Sequence, residues 1–334
     1  MRVVLAPMQG VVDEQMRDLL TSVGGYDRCV TEFVRVTDHR VPEKVFLRYC
    51  PELLNHGRTK AGTPVYIQLL GSDARAMGAS AACAAGLGAR GIDINFGCPA
   101  KIVNRHGGGS VLLKTPDLVG DIVAAVRAAV PKDIPVTAKI RLGYDDDHIL
   151  VQIVNNIAQA GASELCIHAR TRIQGYKPPA HWSSLGRIGA HPLPIFVNGE
   201  IWTPENAFAA CTESGCSDVM LGRGAIACPD LGLRIKAHGA GSVVSHEPLS
   251  WREVAQLVYQ QFIDTPVHRA KYVGNRTKQW LAYLSRQYPE AMVLFGQIKR
   301  SKSTEEISAL IQLSGSFNGL SNSCPNRFNQ FGTA

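Results

Sequence analysis

A thiol stands just past what reads as the end of a strand, in the segment Asp93-Ile94-Asn95-Phe96-Gly97-Cys98-Pro99-Ala100-Lys101. Gly97 and Pro99 punctuate the backbone on either side of it. The loop continues through Asn104-Arg105-His106 into Gly107-Gly108-Gly109. A cysteine fixed beside a polar, glycine-rich loop suits a nucleophile or a proton donor. A buried structural cysteine is the other reading, and this segment alone does not separate them.

Other groups able to do chemistry fall at similar places. Short β-like runs cover Val3 to Met8, Cys29 to Phe33, Val65 to Leu70, Gly91 to Asn95, Val136 to Ile140, Glu164 to His168, Ile195 to Asn198 and Asp218 to Leu221. Most are separated by helical stretches such as Pro116 to Val130 and His148 to Ala160. Eight such β/α units predict a (β/α)8 TIM barrel, whose chemistry sits at the C-terminal strand ends. A doubly wound sheet is the rival, but Pro7-Met8-Gln9-Gly10 stands where its glycine fingerprint would follow the first strand. In a barrel the strand tips bring together Pro7-Met8-Gln9, Glu32, Gln68, Asn95 with Cys98, Lys139 with Arg141, His168 with Arg170, Asn198-Gly199-Glu200 and Gly222-Arg223-Gly224.

Gly199 and Gly222-Arg223-Gly224 follow the seventh and eighth runs, where barrels commonly hold a phosphate on backbone N–H groups. Arg223 can add a bidentate contact. Plain tight turns are the alternative for these glycines. Lys139 and His168 can face the electron-rich end of a flavin, although a core imidazole would also explain His168. Gln68 and Met8 can contact a flat ring or simply fill the barrel.

The 334 residues carry a net charge of +7, and 45% of them are hydrophobic. That allows one large α/β domain and a smaller one. From Trp251 to Lys302 nine Lys/Arg face three Asp/Glu, so most of the basic excess lies in one C-terminal stretch, as a nucleic-acid partner would require. The nine scattered cysteines show neither a disulfide framework nor zinc spacing, which favours a reduced, cytoplasmic setting. No metal site, signal peptide or membrane span is expected, and the chain is expected to be a monomer. After residue 240 the text turns helical. Ser250-Trp251-Arg252-Glu253 has capping-box spacing and Ser303-Thr304-Glu305-Glu306 repeats it. The runs Trp251 to Phe262, Lys271 to Tyr288 and Ala291 to Ile298 complete a bundle of about four helices. The expected organisation is a barrel over 1–240, a helical bundle domain over 241–313 and a disordered tail over 314–334.

With these residues assembled, the chain resembles the tRNA-dihydrouridine synthases, most closely their bacterial C-type branch. The resemblance covers about Arg2 to Ala309. It is carried by Leu5-Ala6-Pro7-Met8, Thr31-Glu32-Phe33-Val34-Arg35, Gln68-Leu69-Leu70-Gly71, Asn95-Phe96-Gly97-Cys98-Pro99, Lys139-Ile140-Arg141-Leu142-Gly143, His168-Ala169-Arg170-Thr171, Asn198-Gly199-Glu200, Gly222-Arg223-Gly224 and Lys278-Gln279-Trp280-Leu281. It implies an FMN enzyme that uses NADPH to reduce the C5=C6 bond of uridine in the tRNA D-loop, at position 16. In that reading Cys98 gives a proton to C5. Met8, Gln68, Lys139, His168, Asn198, Glu200, Gly222 and Arg223 fall on flavin-contacting positions, with Pro7, Gln9 and Gly199 beside them. Asn95 addresses the uracil. Arg35, Arg141, Arg170, Tyr176 and Lys177, with Lys271, Arg276 and Lys278 of the helical domain, form the expected tRNA track. An FMN barrel acting on a small pyrimidine, and a tRNA chaperone without turnover, are the alternatives; neither accounts for both the strand-tip groups and the basic helical domain.

Overall fold

The computed structural model describes residues 1–239, 246–265 and 273–315. Expectations for Lys271 and for the tail beyond residue 315 lie outside the described residues.

Eight parallel strands close a barrel: β1 (Val3–Leu5), β2 (Arg28–Val30), β4 (Val65–Leu70), β5 (Ile92–Asn95), β6 (Val136–Arg141), β7 (Glu164–His168), β8 (Ile195–Asn198) and β9 (Asp218–Leu221). β1 pairs with both β9 and β2, and Cys29 of β2 pairs with Val65 of β4, so no edge remains among the eight. A two-residue strand, β3 (Val34–Arg35), adds to the end of β4. This is the TIM barrel that the spacing predicts. Two runs are shorter than expected by two residues or more. β1 stops before Pro7, which has no N–H for the ladder, and β2 stops at Val30, three residues before Phe33.

The strands read as near-continuous apolar runs because both faces are covered. Their outward side chains pack under helices such as α3 (Ala74–Gly86), α5 (Pro116–Ala129) and α6 (Leu150–Gln159) in one large core. The inward side chains alternate with them, and Val4, Ala6, Val30, Cys166, Phe196 and Met220 fill the barrel axis. The connection from β7 to β8 departs from the expected pattern. A 3-10 turn over Trp182–Ile188 replaces the helix there.

Four helices follow the barrel: α10 (Trp251–Ile263), α11 (Val273–Leu284), α12 (Pro289–Ile298) and α13 (Thr304–Ser314). Both bonds of the Ser250–Glu253 capping box form. At Ser303 only half of the device forms: its side chain accepts from the Glu306 N–H, while the Glu306 carboxylate turns to Ser301. The stretch read as one run to Tyr288 breaks at Leu284, because Tyr288 caps α12 and Pro289 begins it. α13 includes Ser314, which the expected boundary placed outside the helical domain.

The helices are anchored on the barrel beside its C-terminal mouth. Trp280 of α11 is 1% exposed, and its indole N–H donates to the Ile226 carbonyl at 3.0 Å. Ile226 belongs to α8 (Arg223–Ala227), the short helix that opens after β9. Arg276 of α11 reaches the loop after β1, donating to the carbonyls of Gly10 and Val11 and to Asp13.

Candidate functional site

The C-terminal strand tips surround a cavity of about 610 Å³, within the range of small-molecule sites. Pro7, Met8, Gln9, Gln68, Asn95, Cys98, Lys139, Arg141, His168, Tyr176, Asn198, Gly199, Glu200, Gly222 and Arg223 all line it. The alternation of each strand does this. Residues two apart face the same side, so Gln68, Asn95, Lys139, His168 and Asn198 point inward from the last turn of their strands.

Cys98 is held by its backbone. Asn95 Oδ1 accepts from the N–H groups of Gly97 (3.0 Å) and Cys98 (2.9 Å). On its far side the Cys98 carbonyl accepts from Asn104 Nδ2 and Ser110 Oγ, both at 2.9 Å. Burial pushes the thiol upward from its ordinary value, against a hydrogen bond from the Ala100 N–H and the charge of Arg141. The group is therefore a neutral S–H near pH 7. Lys101, Arg105 and His106 are exposed and turn to solvent, so the nearby basic residues of the loop do not activate a thiolate.

Lys139 Nζ donates to Asn198 Oδ1 at 3.0 Å, and Asn198 Nδ2 donates to the Met220 carbonyl at 2.7 Å. The lysine thus has a neutral partner and further donors to offer. His168 is 7% exposed. Burial, then the charges of Arg141, Lys139, Arg170 and Arg223, hold it well below the usual imidazole range. Arg170 Nη1 lies 3.2 Å from His168 Nε2. A guanidinium only donates, so the neutral ring carries its proton on Nδ1. Gly199 permits this packing: its φ is +113°, and a Cβ there would meet His168 Cδ2 at 2.7 Å.

Arg170 corrects an expectation. The sequence suggested a loop cation on the tRNA track, but Arg170 is 0% exposed. It pairs with Glu200, and its Nε donates to the Lys177 carbonyl at 2.7 Å. A guanidinium satisfied in this way positions His168 and Glu200 and does not reach a phosphate. Arg276 is likewise engaged with the loop after β1, and Lys278 Nζ donates to the Ser301 carbonyl at 2.6 Å. Arg35, Tyr176 and Lys177 are exposed around the mouth. Arg141 is 1% exposed and donates to the carbonyls of Gly97, Thr171 and Gly175, and its guanidinium lies 5.1 Å from the Tyr176 ring centroid.

Two aromatic lining residues escaped the sequence reading. The guanidiniums of Arg223 and Arg286 lie 5.2 and 3.8 Å from the Trp202 ring centroid, and the Trp202 indole N–H donates to Glu200 at 3.0 Å. Tyr283 reaches the cavity from α11. Trp202, four residues past the tip at Asn198, was visible as an aromatic near a strand end. Tyr283 carried no local signal.

Comparison with known proteins gives the family. The dihydrouridine synthase (Dus) family model matches residues 4–314. The chain is similar to the tRNA-dihydrouridine(16) synthase of Shewanella oneidensis, 48% identical over 93% of this chain and 98% of that one. The protein of the same name from Neisseria meningitidis serogroup B is 43% identical over 93% of each. Among solved structures, histamine dehydrogenase from Rhizobium sp. 4-9 superposes with a TM-score of 0.55 at 14% identity, covering 77% of this chain and 48% of that one. A variant of NCR from Zymomonas mobilis gives 0.51 at 16%, covering 71% and 86%. At such identities these two share the fold.

Proposed function

The chain belongs to the dihydrouridine synthase family, and on that premise we propose that it reduces the C5=C6 bond of uridine 16 in the tRNA D-loop, with FMN as resident cofactor and NADPH as reductant. The observation that carries this reading is a neutral thiol at the lip of a cation-lined cavity large enough for a flavin.

The residues present fit FMN. Lys139 offers an unneutralised ammonium, and neutral His168 offers Nδ1–H. Arg223 stands beside Gly222 in the connection that follows β9, and both line the cavity. These groups suit the anionic end of the ring system and the phosphate respectively. Gln68 and Met8 would line the ring. When bound, the flavin supplies hydride to C6 of the uracil.

The protein's own part is to hold and protonate. Hydride addition at C6 leaves electron density on C5 and the C4 carbonyl, and C5 must gain a proton. Cys98 Sγ–H is that donor, a role worth roughly 10²–10⁴-fold in rate, and its raised pKa keeps the proton in place at neutral pH. Asn95 and Arg141 bind the uracil. The uridine must leave its loop to reach the cavity, at a cost of a few kcal/mol. Exposed Arg35, Tyr176 and Lys177 at the rim, and residues 241–313 as a tRNA-binding domain, supply contacts that offset it.

Steady-state kinetics with NADPH and unmodified tRNA test the shared cavity. Both substrates need the same mouth in turn, so double-reciprocal plots should be parallel. Intersecting lines would mean that NADPH and tRNA are bound together. Turnover on a free pyrimidine but not on tRNA would favour the small-molecule reading.

A further inference from the structure

Asp93 lies one pleat below Asn95 on β5, facing the barrel axis and 2% exposed. In strand register it is flanked by Gln68 on β4 and Thr137 on β6. Both bond to its carboxylate: Gln68 Nε2 donates to Oδ2 at 2.7 Å and Thr137 Oγ1 to Oδ1 at 2.6 Å. The other end of Gln68, Oε1, accepts from Asn95 Nδ2 at 2.8 Å. Asn95 Oδ1 then accepts from the backbone N–H groups of Gly97 and Cys98.

The direction of this relay is fixed at both ends, since the backbone N–H groups of Gly97 and Cys98 only donate and the far end is a carboxylate. A side-chain amide has a donor end and an acceptor end and can be turned either way. An ionised carboxylate only accepts. Gln68 must therefore turn its NH2 to Asp93, which leaves its oxygen for Asn95. Asn95 must then give its NH2 to Gln68 and its oxygen to the loop. Burial pushes the Asp93 carboxyl upward from its ordinary value; the bonds from Thr137 and Gln68 oppose that shift, and the charges of Arg28 and Lys139 add to them.

We propose that Asp93 is the positioning residue of the proton-donor loop: as the acceptor that ends the relay it anchors Gln68 and, through it, Asn95, and thereby holds Cys98 in place. This rests on the reading of Cys98 as proton donor. The same polarity leaves Asn95 with one free amide hydrogen, a donor that matches a uracil carbonyl oxygen and mismatches the exocyclic amine of cytosine.

The test separates the two half-reactions of the full-length holoprotein: flavin reduction by NADPH, and reoxidation by unmodified tRNA. For Asp93→Asn, the first should stay within about threefold of wild type while the second slows about 10- to 100-fold, the effect of a small misplacement of a reacting group. In an Asn95→Ala background the same substitution should add less than about twofold, because its route of action is gone. Equal slowing of both half-reactions, or full multiplication of the two effects, would overturn the proposal. If Asp93→Asn does not fold, Thr137→Val removes one of the two bonds to the carboxylate and should slow only the tRNA half-reaction, by about threefold to tenfold. An unchanged rate in that variant would likewise overturn it. A wild-type protein that tRNA cannot reoxidise would defeat the functional reading instead.

Discussion

At the N-terminal end of the barrel, Arg2 and Arg28 enter beneath the core and meet carboxylates. Arg2 Nη2 lies 2.8 Å from Asp218 and pairs also with Glu164, and Arg28 pairs with Glu164. Both guanidiniums stack on Phe196, at 4.7 and 5.0 Å from its centroid. At the C-terminal end, Lys139, Arg141 and Arg223 enter the same lumen, yet among the described residues no carboxylate pairs with any of them. Charges of one sign, gathered in a low-dielectric cleft without ion-pair partners, cost stability and attract anions. One end of the barrel is built to be neutral, and the other to be completed by a ligand. Arg170 with Glu200 is the exception at the mouth, and that pair serves to hold His168.

The difference between the ends can be broken at several points. Cys98→Ala should give the largest effect, a fall of roughly 10²–10⁴-fold in dihydrouridine formation, with bound flavin and its reduction by NADPH retained. Loss of the flavin would mean that Cys98 has been misplaced. Lys139→Met should weaken flavin binding roughly 10- to 100-fold, the worth of about 1.5–3 kcal/mol for a charge-assisted contact. Its melting temperature should stay level or rise, since a partly buried cation without a counter-charge is removed. The mirror substitution, Glu164→Gln at the other end, should cost about 1–3 kcal/mol by urea unfolding and leave turnover unchanged. If both variants behave alike, the contrast between the ends has no energetic content.

A smaller effect sharpens the same point. His168 is held neutral in the folded state, well below its unfolded value of about 6.5. Below that pH the unfolded chain takes up a proton that the folded chain refuses. Stability from this site is thus complete above about pH 6.5 and falls by up to about 1.4 kcal/mol per pH unit as pH drops toward the folded pKa. Denaturant titrations of wild type and His168→Asn, compared from pH 7.5 to 5, should show the steeper loss in the wild type.

Much of this site was legible because a strand has a period of two and a barrel has one mouth. Once the strand ends at Gln68, Asn95, His168 and Asn198 were placed, their convergence followed. The inward direction of Gln68, Lys139, His168 and Asn198 depends only on strand alternation, which the apolar runs specify. Arg170 was misread because it lies past the strand end, where loop backbone sets direction and the partner, Glu200, is thirty residues away. Arg276 was misread for a similar reason: the carbonyls it serves, at Gly10 and Val11, lie at the other end of the chain. Asp93 was in plain view beside Asn95, but an acid inside an apolar strand shows its role only when its cross-strand neighbours are known.

The most direct test is position-resolved dihydrouridine mapping on unmodified tRNA incubated with the purified protein and NADPH. The account predicts reduction confined to position 16 of the D-loop. Reduction at another D-loop position would contradict the site assignment while keeping the chemistry, and a flavoprotein that oxidises NADPH yet leaves every uridine intact would contradict the central claim.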